Sequence, residues 1–168
     1  MQFSFLMLRS ESMRSVLIFL FCLIGISVYA GDPTPKAGLN KNLILQLLNA
    51  VRQKGCTCDD TRYPAAPPLT WNDLLEKAAA GHSTEMVQRK YFSHTSTDGY
   101  NAGDRLTKVG YAWKTYGENI GMGYRDEKEM VEGWLKSPGH CKNIMNPLFK
   151  EVGVARVGDY WTQDFGTR

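Results

Sequence analysis

Clustered positive charge is missing from this chain. Its 20 Lys and Arg stand against 17 Asp and Glu, for a net charge of +3, and no long basic run occurs. A surface that tracks a phosphate backbone needs Lys and Arg gathered together, so nucleic acid is not an expected partner. Long apolar runs are missing too: none reaches the roughly 20 residues that cross a bilayer. There is no Gly-x-Ser-x-Gly elbow, no Walker loop and no His-Glu-x-x-His. The serine-hydrolase, nucleotide-hydrolysing and zinc-protease chemistries therefore lose their usual carriers. Gly121-Met122-Gly123 lacks the rest of a dinucleotide fingerprint and reads as a turn, and no Asn-x-Ser/Thr acceptor is present. What remains is an ordinary globular composition, 43% hydrophobic and 22% charged, at a length of 168 residues that suits a single domain. Whole-chain disorder is excluded on the same ground.

The longest apolar stretch, residues 16–26 (VLIFLFCLIGI), follows Arg14 and ends near Val28-Tyr29-Ala30. Its length matches the core of a signal peptide, and small residues occupy the positions a signal peptidase reads. The expected organisation is a signal peptide over 1–30 cleaved after Ala30, a Pro-containing linker over 31–38, and one domain over 39–168. The mature protein is expected to be secreted or periplasmic and not membrane-spanning. Export makes a disulfide the expected use of cysteine. Three cysteines follow the leader: Cys56, Cys58 and Cys141. A Cys56–Cys58 bridge needs a strained loop, so Cys141 pairs with one of the two and leaves the other free. Closing a loop of that size is worth roughly 4 kcal/mol by the chain-entropy estimate. Three sulfurs fall short of the four ligands that structural zinc takes.

Apolar spacing places a helix over 39–54, with Asn40 as its cap and Leu43, Leu47, Leu48 and Val51 on one stripe. Residues 56–68 carry three prolines and read as a surface loop. A second helix is expected to start at a Thr70/Asp73 capping box and run to about Lys90. Shorter helices follow over 102–109, from Asp126, and from Pro138 through Ile144, where proline takes a first-turn position that needs no amide. Period-two alternation from Val152, a Gly158-Asp159 turn and a return over 160–165 form a hairpin. A short strand over 112–116 is expected beside it. The fold class is therefore α+β, with helices around a small antiparallel sheet.

Three histidines carry the available imidazole chemistry. His82 falls on the apolar stripe of the second helix and reads as a half-buried packing residue. His94 lies in the polar loop Phe92-Ser93-His94-Thr95-Ser96, the kind of segment that carries sites. His140 follows Ser137-Pro138-Gly139 at the head of a helical turn, where the positive helix end favours neutral imidazole. Two imidazoles and a carboxylate would make a zinc set, but no spacing rule brings these separate segments together.

The ordered series Tyr91-Phe92-Ser93-His94-Thr95-Ser96, Gly117-Glu118-Asn119-Ile120, Trp134-Leu135-Lys136-Ser137-Pro138-Gly139-His140, Glu151-Val152-Gly153-Val154 and Tyr160-Trp161-Thr162-Gln163-Asp164-Phe165-Gly166 resembles the CAP superfamily of cysteine-rich secretory, antigen 5 and pathogenesis-related proteins. It is most similar to the bacterial SCP-like extracellular members, from about Leu43 to Gly166. The resemblance implies an α-β-α sandwich with a surface cleft containing His94, Glu118 and His140. Many members have a second glutamate where this chain has Ser137, and Glu132, one turn earlier, is the candidate substitute. The resemblance also implies that Cys58 pairs with Cys141. It implies a binding or interaction module whose histidines can take Zn or another divalent cation, with a lipid or other apolar ligand, a protein, or the cell envelope as partner. The alternative is a metal- or Glu/His-dependent hydrolase of peptide or cell-wall bonds.

Overall fold

The computed structural model describes residues 38–168, so the expected leader and nearly all of the linker lie outside the described residues. Asn40 accepts the Leu43 N–H and starts α1 (Lys41–Lys54), which buries Ile44 and Leu48. The segment expected to be a plain loop instead opens with an antiparallel hairpin, β1 (Cys56–Cys58) and β2 (Thr61–Tyr63). Its prolines all come later, at 64, 67 and 68, and leave those six residues free to pair.

A two-residue strand, β3 (Thr70–Trp71), precedes α2 (Asp73–Arg89). Asn72, rather than Thr70, caps α2 by accepting the N–H groups of Leu74 and Leu75. Thr70 is unavailable because its own N–H is spent on Lys150 O and it is paired with Glu151. A reciprocal Asn101/Asp104 capping box opens α3 (Ala102–Lys108). The strand expected over 112–116 forms later and longer, as β4 (Thr115–Met122). Then come α4 (Glu127–Lys136), capped by Asp126, α5 (Pro138–Met145), β5 (Glu151–Val157) and β6 (Tyr160–Thr167).

The main sheet runs β3-β5-β6-β4. The β5–β6 and β6–β4 pairs are antiparallel, as expected, but β3 joins parallel to β5, so the sheet is mixed. Strand alternation sends successive side chains to opposite faces. One face packs on α2 and α3, around Leu75, Ala78, Leu106 and Tyr111. The other packs on α4 and α5, with α1 behind them, around Trp134, Ile144, Phe149, Val152, Val154, Trp161 and Phe165. The result is the expected helix-sheet-helix sandwich, with β4 as an edge strand of the main sheet.

Two cross-links tie the α1 side together. Cys58 and Cys141 form a disulfide that joins the hairpin to α5. Arg52 is fully buried and donates to four carbonyls, those of Pro67, Ile144, Asn146 and Phe149. Among the described residues, no helix is long and apolar enough to cross a membrane.

Candidate functional site

Glu118 and Asn119 are neighbours on β4, and pleating sends their side chains to opposite faces of the sheet. That simple fact organises the site. On the α2/α3 face, Glu118 is almost wholly buried and accepts the Nδ1–H of His94 at 2.8 Å. On the α4/α5 face, Asn119 donates to the main-chain oxygen of His140 at 3.3 Å and to Gln163 Oε1 at 2.9 Å. Asn143 on α5 closes this second set by donating to Glu118 O and Asn119 Oδ1. Two histidine-bearing segments are thus fastened to one strand, from its two sides.

The loop carrying His94 is held on several sides. Arg105 on α3 donates to His94 O, Ser96 Oγ and Tyr100 O. Its Nη2 also meets Glu118 Oε2 at 2.5 Å, so the carboxylate is engaged at both oxygens. Glu85 on α2 accepts both the N–H and the hydroxyl of Thr97. Burial opposes ionisation of Glu85, but hydrogen bonding led by Thr97 outweighs it and brings its carboxyl down to about 2. His82, expected to be half-buried, is completely buried, because β6 and the 93–96 loop cover the helix face it lies on. Its Nε2–H donates to Ser93 O, and burial depresses its pKa, so it supports the loop as neutral imidazole.

This arrangement fixes the tautomer of His94. A carboxylate accepts, so Nδ1 carries a proton, and in the neutral ring the lone pair is on Nε2. The His94 side chain is 55% exposed, which leaves Nε2 accessible to a ligand. His140 is half-buried; burial and the neighbouring His94 both push its pKa down, favouring the neutral donor form. Both rings therefore suit a divalent cation of the zinc class. Among the described residues, the group of metal-capable side chains with ligand atoms within 4.8 Å of one another is Cys56, Cys58 and Cys141, not the histidines with Glu118. Glu118 is engaged at both oxygens, by His94 at one and by Arg105 at the other.

The remaining sequence candidates fall elsewhere or play other parts. Glu132 is exposed and lines a separate hollow with Arg125, Glu129 and Lys136. Ser137 joins α4 to α5 and makes no capping bond through its side chain. Arg105, Glu85, Asn119 and Asn143 were not identified as site residues from the sequence, although Asn119 lies inside the Gly-Glu-Asn motif. An exposed rim borders the loop: Phe92 packs its ring 6.2 Å from that of Tyr160, whose strand partner is Met122.

Asp164 is a further member that spacing could not reveal. It lies opposite Glu118 in the β4–β6 register, which puts both carboxyls on one face, and it is buried. Burial and the charge of Glu118 hold its pKa well above the ordinary aspartate range. Neither carboxyl oxygen has a hydrogen-bond partner among the described residues, and burial beside Glu118 favours the neutral acid. The pKa is raised on folding, so its contribution to stability is complete below the unfolded value of about 4 and declines as pH rises toward the folded value. Asp164→Asn keeps a donor without an ionisable group. Its melting temperature relative to wild type is expected to rise as the pH is raised above about 4, the unfolded aspartate value. Melts with a pH-independent difference would rule out a protonated Asp164.

Residues 45–165 match the cysteine-rich secretory protein family. The chain is 37% identical over 124 residues to the protein YkwD of Bacillus subtilis (strain 168), covering 73% of this chain and 45% of that protein. Its fold superposes on an extracellular protein containing a SCP domain from Bacillus anthracis, with a TM-score of 0.68 and 32% identity over 76% of this chain and 40% of the other. It also superposes on an outer surface protein of Borrelia burgdorferi at a TM-score of 0.65 and 21% identity, covering 76% of this chain and 91% of that one, which bears on fold alone. The chain spans less than half the length of its Bacillus relatives. By the span of that family match and the identity to YkwD, the chain belongs to the cysteine-rich secretory protein, or CAP, family.

Proposed function

We propose that this is an exported CAP-domain binding protein whose cleft takes a divalent cation through His94 and His140. The observation that carries the reading is the chain Arg105–Glu118–His94. Arg105 fixes Glu118, Glu118 fixes the Nδ1–H tautomer, and Nε2 of an exposed imidazole is left as a lone-pair donor. Carboxylates that orient metal-binding histidines in this way are worth about 10–100-fold in affinity. His140 supplies the second nitrogen, and its depressed pKa spares the cost of displacing a proton at neutral pH. The cation would present open coordination positions, to which a polar group of a partner could bind. Phe92, Met122 and Tyr160 on the adjoining rim suit the apolar part of a lipid, protein or envelope partner. Export is supported by the leader-like run over 16–26 and by the extracellular B. anthracis relative.

Zinc titration by calorimetry tests the reading. The oxidised protein is expected to bind with micromolar or tighter affinity. His94→Ala/His140→Ala should abolish binding, and Glu118→Gln should weaken it by about 10–100-fold. Running the series in a Cys56→Ser background keeps the sulfur cluster from contributing. Absence of binding, or binding that the double variant retains, would refute the cation site.

A further inference from the structure

Away from the cleft, three sulfurs meet at the junction of the hairpin and α5. Cys56 and Cys58 are two residues apart on β1, and a strand's period of two points both toward the same side. Cys141 of α5 stands opposite and is bonded to Cys58. The free Cys56 Sγ lies 3.8 Å from Sγ of Cys58 and 3.7 Å from Sγ of Cys141. It is almost equidistant from the two bridged sulfurs, within the distance of van der Waals contact. Cys56 is only partly buried and opens onto a hollow of about 260 Å³ lined by Ala50, Val51, Lys54, Gly55, Thr57 and Leu135.

We propose that Cys56, Cys58 and Cys141 form an intramolecular thiol–disulfide exchange site, in which Cys141 alternates between two partners on β1. The Cys56 thiolate attacks Sγ of Cys141, a Cys56–Cys141 bond forms, the Cys58–Cys141 bond breaks, and Cys58 leaves as the thiolate. The proton lost by Cys56 is regained by Cys58. One disulfide and one thiol exist before and after, so the step needs no oxidant or reductant. Rotation of the Cys56 side chain and a small shift of β1 bring the attacking sulfur into line. Exchange requires a thiolate. Burial raises the pKa of Cys56 and nearby Arg62 of β2 partly offsets this, while Lys54 at the end of α1 also borders the hollow. Interchange is therefore slow at neutral pH and faster in mild alkali. Cys141 directly follows His140, so the exchange changes which β1 position anchors the helix carrying that cleft histidine.

The test is disulfide mapping by mass spectrometry of the full chain carrying Cys22→Ser, so that the leader adds no thiol. The chain is incubated without reductant at about pH 8.5, near the ordinary thiol pKa, then quenched in acid, alkylated and digested. The expected result is both Cys58–Cys141 and Cys56–Cys141 peptides, appearing at a rate unchanged by tenfold dilution. In Cys56→Ser, only Cys58–Cys141 should be found. In Cys58→Ser, Cys56–Cys141 should form and Cys56 should resist alkylation. Wild-type protein that keeps Cys58–Cys141 alone after prolonged incubation overturns the proposal, whether or not the Cys58→Ser chain folds. A Cys56–Cys141 pairing that slows in proportion to dilution overturns it as well, since the exchange would then be intermolecular.

Discussion

Arg52→Met is expected to lower folding stability by about 3–5 kcal/mol, enough to drop the melting temperature by roughly 10 °C or more. Arg52 donates to the carbonyls of Pro67, Ile144, Asn146 and Phe149, and its own carbonyl accepts the Ala66 N–H. These groups belong to the proline-containing connection before β3, to the last turn of α5 and to the segment between α5 and β5, where the backbone has no strand ladder. One guanidinium replaces the ladder. Methionine fills much of the same volume but leaves buried acceptors without donors, and each such loss costs about 1–3 kcal/mol. Burial depresses the Arg52 pKa to about 10, which still leaves it charged at neutral pH. Arg52→Lys should recover only part of the loss, because a compact ammonium cannot span the fork of acceptors. Chemical denaturation of the three proteins checks the order. A methionine variant within about 1 kcal/mol of wild type would show that the carbonyls find other donors.

Gly153→Ala is expected to cost at least about 3 kcal/mol, at the upper end of overpacking effects. Gly153 lies on β5 where the first turn of α2 crosses the sheet. An added Cβ would sit 2.0 Å from Glu76 N and 2.4 Å from Leu75 C. Those are backbone atoms of a capped helix, so no side chain can swing aside to make room. Separating α2 from the sheet would also disturb the Ser83–Thr162 bond across that interface. Gly81 provides the contrast. It lies on the exposed face of α2, nothing stands within 4 Å of its added Cβ, and Gly81→Ala should stabilise by about 0.5–1 kcal/mol. Thermal melts of the two variants should move in opposite directions. A mild effect at Gly153 would mean that α2 packs more loosely on β5 than the structure has it.

The sequence carried the helices and the C-terminal hairpin because their signals are local. Asn40 and Asp126 are caps directly before apolar periodicity, and Gly158-Asp159 turns one alternating run into the next. Thr70 was misleading because a capping pattern takes no account of a distant strand. Its amide is claimed by Lys150, on the far side of the sequence. The hairpin over 56–63 has no such local signal, because its strands are three residues each and the segment's prolines all follow them.

The same division holds in the site. His94, Glu118 and His140 were legible as a motif series, and Cys58–Cys141 followed from the same resemblance. Arg105 looks like any basic residue near a helix end, and Arg52 like any cation in the last turn of α1. Burial and convergence give those two their roles, and both are tertiary properties. Asp164 sits within a recognised motif, but its opposition to Glu118 depends on the β4–β6 register, which no spacing along the chain reveals.

The central claim is that Glu118 holds His94 as the Nδ1–H tautomer so that Nε2 and His140 can receive a cation. Nitrogen-15 NMR of the imidazoles during a zinc titration of the oxidised protein tests it most directly. His94 Nε2 and one His140 nitrogen should shift together up to one equivalent of zinc. The Nδ1–H resonance of His94 should persist throughout, still bonded to Glu118. Shifts at His94 Nδ1, or no change at either histidine while zinc binds elsewhere, would contradict it.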